Sequence, residues 1–341
     1  MIKKIILVLL IILIILIILM MILYHRGWLN HLIIYRYNKE EAENKCKIIS
    51  SRGILKSCGI ISINPVSSIK YLKDYDNIEY RLKYMNYGTT IYVCSSALKN
   101  FISKLLPTIS TPFILVSGDC DETMPYDVLN EKEFKSFIQS DKVIHWYLQN
   151  CVITHPKITG IPIGLDYHTM SENDHDWGTH MSPLNQEKML ISLARESKPF
   201  YNRNIKIYSN CHFTVKSSKY GYDRKDAIER IDKNLVYYEP SKINRFQSWI
   251  KQKEFTFVLS PHGNGLDCHR TWEALALGCI PIVKTSKINH LYEELPVLIL
   301  SDWSDVSLEL LNNTVYSFKN KNFNYEKLNL EYWINIIKNI K

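Results

Sequence analysis

Residues 255–283 read FTFVLSPHGNGLDCHRTWEALALGCIPIV. The stretch holds an apolar run, a Pro-His-Gly-Asn-Gly loop, a helix, a glycine stop and a second apolar run. Ser260, His262, Gly263 and Gly265 form the loop, and the two glycines let backbone come close to a ligand. Asp267 is placed to cap the following helix. The free N–H groups and positive dipole end of that helix suit a phosphate. Arg270 falls in the first turn, where a guanidinium can fork onto diphosphate oxygens. Glu273, three residues on, shares that face and suits the paired hydroxyls of a ribose. Gly278 stops the helix. The plainer alternative is a surface ion pair between Arg270 and Glu273, with glycines that only shape a turn.

Outward from this stretch, short apolar runs alternate with amphipathic ones. Strands are expected over 54–63, 90–94, 112–117 and 143–147, with helices over 96–106 and 132–138. A second series has strands over 204–209, 235–238, 255–260, 280–283 and 296–300. Its helices are expected over 223–232, 245–253 and 267–277, and a last amphipathic helix over 328–340. Such alternation predicts an α/β chain with parallel sheets covered on both faces. Two series predict two Rossmann-like lobes, an N-terminal one over 49–185 and a C-terminal one over 186–327. The ligand cleft is expected between them, beyond the carboxyl ends of the strands.

Residues 5–23 are nineteen consecutive apolar residues, enough to cross a bilayer as a helix. The layout expected is a tip and single anchor over 1–24, a stem over 25–48 and the lobes beyond. With 42 Lys+Arg against 34 Asp+Glu, the +8 balance is mild and scattered, without a basic block or nucleic-acid module. Nucleic acid is therefore not an expected partner. Only ten arginines occur, so a well-placed one is informative. None of the eight cysteines forms a CxxC pair, which argues against zinc.

The pattern around SPHGNGLDCHRTWEALALGCIPIV, followed by ELP at 294–296, resembles the C-terminal lobe of exostosin-type glycosyltransferases. It is also similar to ribitol xylosyltransferase-like proteins. The close match covers residues 255–300, with looser similarity through HWYLQN (145–150) and IPIGLDY (161–167). The resemblance implies a GT-B fold, inversion at the anomeric carbon, and a nucleotide-sugar donor, a UDP-sugar, held by the C-terminal lobe. It also implies a single-pass anchor with a lumenal (Golgi or ER) catalytic domain and a glycan or glycoprotein acceptor. Carried over, Arg270 faces the diphosphate, Glu273 the ribose, and the 260–265 loop lines the donor pocket. No metal or other cofactor is then required. Gly265 stands where many retaining GT-B enzymes carry a second glutamate, which weighs against retention.

An inverting transfer needs a base on the facing lobe. Asp119 and Asp121, in the loop after the 112–117 strand, are the first candidates, with turn capping as the alternative reading. His145, Asp166 and His168 are further candidates. Asp119-Cys120-Asp121 is also a DxD sequence, which would suit Mn²⁺ in a GT-A transferase. A non-catalytic glycan-binding membrane protein on a degenerate scaffold is the reading from another class.

Overall fold

The computed structural model describes residues 12–18, 42–61, 81–172, 174, 176–211 and 219–340. Residues 12–18 are helical and exposed; the rest of the 5–23 run and most of the expected stem lie outside the described residues. Among the described residues no helix is long and apolar enough to cross a membrane.

The first lobe begins with α1 (Ser51–Ser57), where a strand over 54–63 was expected. The correction has a local cause. Ser50 is an N-cap whose hydroxyl accepts the Gly53 N–H at 3.1 Å, and it starts a helix that buries Ile54 and Leu55. Among the described residues of the expected strand only Ile60 pairs with the sheet, beside Ile91; residues 62 and 63 lie outside the described residues. The strands β1 (Thr89–Cys94), β2 (Phe113–Gly118), β3 (Val143–Leu148) and β4 (Ile158–Gly160) follow in spatial order 1-2-3-4, all parallel. β2 is buried at every position, as a central strand covered on both faces must be. Between β1 and β2, residues 95–108 wind through short 3-10, α and π turns rather than one regular helix. After β2 comes α2 (Glu131–Ile138), opened by a reciprocal Asn130–Glu133 capping box. α3 (His168–Glu172) closes the 161–167 stretch. α4 (Pro183–Glu196), capped by Ser182 with Pro183 in its first turn, runs continuously across residue 185.

The second lobe contains β5 (Asn204–Ser209), α5 (Tyr222–Arg230), β6 (Val236–Tyr238) and α6 (Arg245–Gln252). It continues through β7 (Phe255–Leu259), α7 (His269–Ala276), β8 (Ile280–Lys284), β9 (Leu298–Leu300) and α8 (Leu308–Lys319). Its parallel sheet has the order β6-β5-β7-β8-β9. Strand order reverses between β5 and β7, and that switch point is where such sheets open a crevice at their carboxyl ends. Phe257 and Leu259 pack into a small core on one face, and Val258 into a larger core on the other. The larger core is shared: Trp272, Leu275 and Tyr292 of the second lobe join Leu115, Trp146 and Leu148 of the first.

The chain end returns to the first lobe. α9 (Leu330–Lys338) begins with the Leu330 N–H on the Lys47 carbonyl (2.8 Å), and the Tyr147 hydroxyl donates to the Ile336 carbonyl (2.8 Å). All eight cysteines are free thiols.

Candidate functional site

The loop after β7 leaves the sheet at the switch point. Ser260 is buried, with its N–H on the Ile282 carbonyl (2.9 Å) and its hydroxyl against Thr271 (2.8 Å), so it anchors the loop to α7. The His262 N–H donates to Asp223 at 2.9 Å, and its Nδ1 donates to the Leu266 carbonyl at 2.9 Å. That makes Nδ1 a donor and fixes the orientation of the ring. A Cβ on Gly263 would lie 2.9 Å from the Arg224 guanidinium. A Cβ on Gly265 would lie 2.9 Å from the Asp121 carbonyl and from the Asn150 amide. Glycine is required at 265 because the two lobes touch there.

Asp267 does not cap the helix. Its carboxylate is buried and accepts from the Ile163 N–H (2.8 Å), Trp272 Nε1 (2.9 Å) and the Tyr292 hydroxyl (3.1 Å). Its own N–H donates to Asn150 Oδ1 at 2.9 Å. An acceptor that short finds these three buried donors instead of the α7 amides, and so it rivets the lobes together. Burial raises its pKa, opposed by those hydrogen bonds. The N-cap is Cys268, which makes no side-chain cap, so α7 presents an uncapped N-terminus.

Arg270 stands in the first turn of α7. Its Nε donates to Asn210 Oδ1 at 3.3 Å, just beyond β5 and across the switch point from the loop. Among the described residues, no carboxylate lies within ion-pair distance of Arg270 or of Arg224. Arg224, on α5, even has a buried Nε without a hydrogen-bond partner. Both cations act on the Cys268 thiol: burial pushes it up to about 11, and Arg270 and Arg224 oppose the shift. Two guanidinium groups thus flank the uncapped helix N-terminus beside two glycines. That arrangement attracts a dianion such as a diphosphate.

Glu273 has a different cation beside it. Its carboxylate lies 3.6 Å from Arg245 Nε, not on Arg270, so the surface ion pair weighed from sequence does not form. Arg245, on α6, is buried. It pairs with Asp166 Oδ2 (3.0 Å), donates to the Asp166 carbonyl, and stacks 4.7 Å above Trp177. Asp166 Oδ1 also lies 3.1 Å from His168 Nδ1 and accepts the Thr169 N–H at 3.0 Å. On the first-lobe side Arg52, from α1, holds Asp119 at 3.3 Å and pairs with Glu172. His269, the first residue of α7, donates from Nδ1 to the Gly164 carbonyl (2.7 Å), and its ring centre is 6.1 Å from that of His168. The seam between the lobes is therefore lined with charge.

The candidate acid–base residues separate. Asp119 has a left-handed backbone (φ 58°), one oxygen on Arg52 and the other buried without a partner. Burial raises its pKa to about 6, against the Arg52 charge. Asp121 is exposed, its backbone packed on Gly265. His145 is a packed strand residue on Thr159 (2.9 Å), and burial lowers its pKa to about 4. Among the described residues no three His, Cys, Asp or Glu side chains form a metal-holding group.

The sequence pattern alone did not single out Arg52, Arg224, Arg245 or His269. The scarcity of arginine was the usable signal, since four of the ten meet at this seam. Compared with models of known protein families and with curated proteins, the chain finds no match.

Proposed function

We propose that the protein is a glycosyltransferase of GT-B architecture, which moves a sugar from a nucleoside diphosphate sugar to a hydroxyl of a glycan or glycoprotein. The observation that carries this reading is Arg270, held at Nε by Asn210 on the uncapped first turn of α7 beside Arg224. In this reading the diphosphate sits on α7 and the two guanidinium groups offset the charge that grows on it as the sugar departs. The 260–265 loop flanks the donor, a UDP-sugar, and Glu273 faces its ribose. Transfer inverts the anomeric carbon and draws on the two arginines rather than a metal. Residues 5–23 anchor the chain in a bilayer, with the catalytic domain on the lumenal side.

Thermal-shift screening with nucleoside diphosphates, followed by hydrolysis assays on UDP-sugars, tests the proposal. Stabilisation by UDP and turnover that survives EDTA are the expected results. Turnover abolished by EDTA and restored by Mn²⁺ would favour the GT-A reading on Asp119 and Asp121. No nucleotide effect at all would favour the non-catalytic scaffold.

A further inference from the structure

We propose that His168 takes the proton of the acceptor hydroxyl and that Asp166 positions it. The assignment rests on the transferase reading above and names the base that reading lacks.

The argument begins with Asp166. Its Oδ2 is held by Arg245 at 3.0 Å, and its Oδ1 accepts the Thr169 N–H at 3.0 Å. The Arg245 charge lowers its pKa against the effect of burial, so it stays an ionised acceptor. A carboxylate in that state has no proton to give. His168 Nδ1 lies 3.1 Å from Oδ1, and an ionised oxygen at that distance favours the tautomer with the hydrogen on Nδ1. Nε2 is left with its lone pair, and among the described residues it makes no hydrogen bond. A carboxylate that fixes imidazole tautomer and orientation is the arrangement in which histidine serves as a base.

Position agrees with chemistry. The His168 ring centre lies 6.1 Å from that of His269, the first residue of α7, so it stands on the first-lobe side of the helix that carries the proposed diphosphate cradle. Its side chain is 20% exposed, whereas that of Asp119 is 6% exposed, with one oxygen on Arg52 and the other out of reach. The charged and titratable groups around the imidazole come from several elements: Arg52 from α1, Asp166 before α3, Arg245 from α6 and His269 from α7. Burial lowers its pKa to about 3; Asp166 opposes this and Arg52, His269 and Arg245 add to it. The ring is consequently neutral at working pH. A diphosphate arriving on Arg270 and Arg224 adds negative charge to the seam and raises the ring's proton affinity as transfer proceeds.

The step balances. An acceptor oxygen lone pair forms the new bond to the anomeric carbon. The bond from that carbon to the diphosphate oxygen breaks, and its electron pair leaves with the nucleoside diphosphate. The hydroxyl proton passes to His168 Nε2, and Asp166 stabilises the imidazolium until water removes the proton.

The test uses the full chain, UDP as binding probe, and hydrolysis of UDP-glucose, UDP-xylose, UDP-galactose and UDP-N-acetylglucosamine with water as acceptor. His168→Gln should bind UDP within about threefold of the wild type while turnover falls roughly 10²–10⁴-fold. Added imidazole should restore part of the turnover of His168→Ala. Imidazole ¹⁵N NMR, which reads the ring without turnover, should report an Nδ1–H tautomer for His168. Turnover of His168→Gln within about threefold of wild type, loss confined to Asp121→Asn, or an Nε2–H tautomer would each overturn the assignment. If UDP still binds in those cases, only the base is wrong. If the wild type binds no UDP, the transferase reading falls first and the assignment goes with it.

Discussion

Removal of the Asp267 carboxylate should loosen the seam between the lobes. In Asp267→Ala three buried donors lose their acceptor: the Ile163 N–H, Trp272 Nε1 and the Tyr292 hydroxyl, now at 2.8, 2.9 and 3.1 Å. Each stranded donor costs about 1–3 kcal/mol. The three share one acceptor, so their costs do not simply add. Relief of a buried carboxylate, whose pKa burial has raised, offsets part of the loss. The net expectation is about 3–5 kcal/mol. At roughly 2–4 °C per kcal/mol for a chain of this size class, the melting temperature should fall by about 6–20 °C. Circular dichroism melts of the full chain measure it, with the exposed Asp141→Ala as control, expected within about 1 °C of wild type. Asp267→Asn should lie between the two, because it keeps one oxygen but sets an amide N–H toward a backbone donor. An Asp267→Ala melt within about 2 °C of wild type would refute the claim that this carboxylate holds the lobes together.

Other perturbations separate binding from stability. Arg270→Ala should weaken UDP binding about 10–150-fold, the worth of a hydrogen bond to a charged group, yet leave the melting temperature nearly unchanged. Among the described residues its one hydrogen bond is the 3.3 Å contact to Asn210. Arg224→Ala should weaken UDP binding in the same direction and stabilise the apo fold slightly, since its buried Nε has no partner to lose. Asp119 has a pKa raised to about 6 in the folded state, so folding binds a proton and its contribution to stability falls as pH rises from about 4 to 6. Urea unfolding at pH 4 and pH 7 should show a decline in the wild type, relative to Asp119→Asn, on the order of 2–3 kcal/mol.

Most of the fold was legible because its strands are buried parallel strands. Apolar runs such as FILVS and FTFVL, bounded by Pro, Gly or Ser, announce themselves without reference to their neighbours. The 54–63 run was misread because ILKSCGIISI is apolar enough for a strand, while the helix is decided by one hydroxyl, that of Ser50 on the Gly53 N–H. The region between the expected lobes hid α4, whose Ser182-Pro183 start was a readable cap signal. Within the candidate site, Arg270, Gly263 and Gly265 could be grouped from the sequence because loop and helix are adjacent in it. The ionic seam was not, because Arg52, Asp119, Asp166 and Arg245 are brought together only by the packing of α1, α3 and α6 against the two sheets. Asp267 shows the same limit: a carboxylate two residues before a helix looks like a cap until the Ile163 N–H, the Tyr292 hydroxyl and the Trp272 indole are seen to claim it.

Calorimetric titration of UDP into the wild-type chain and into Arg270→Ala, at equal salt, tests the cradle on α7 most directly. The account predicts saturable binding to the wild type, tighter than about 1 mM (about −4 kcal/mol), that drops at least tenfold in the variant. Equal binding by both proteins, or no heat from the wild type at concentrations above about 1 mM, would contradict it.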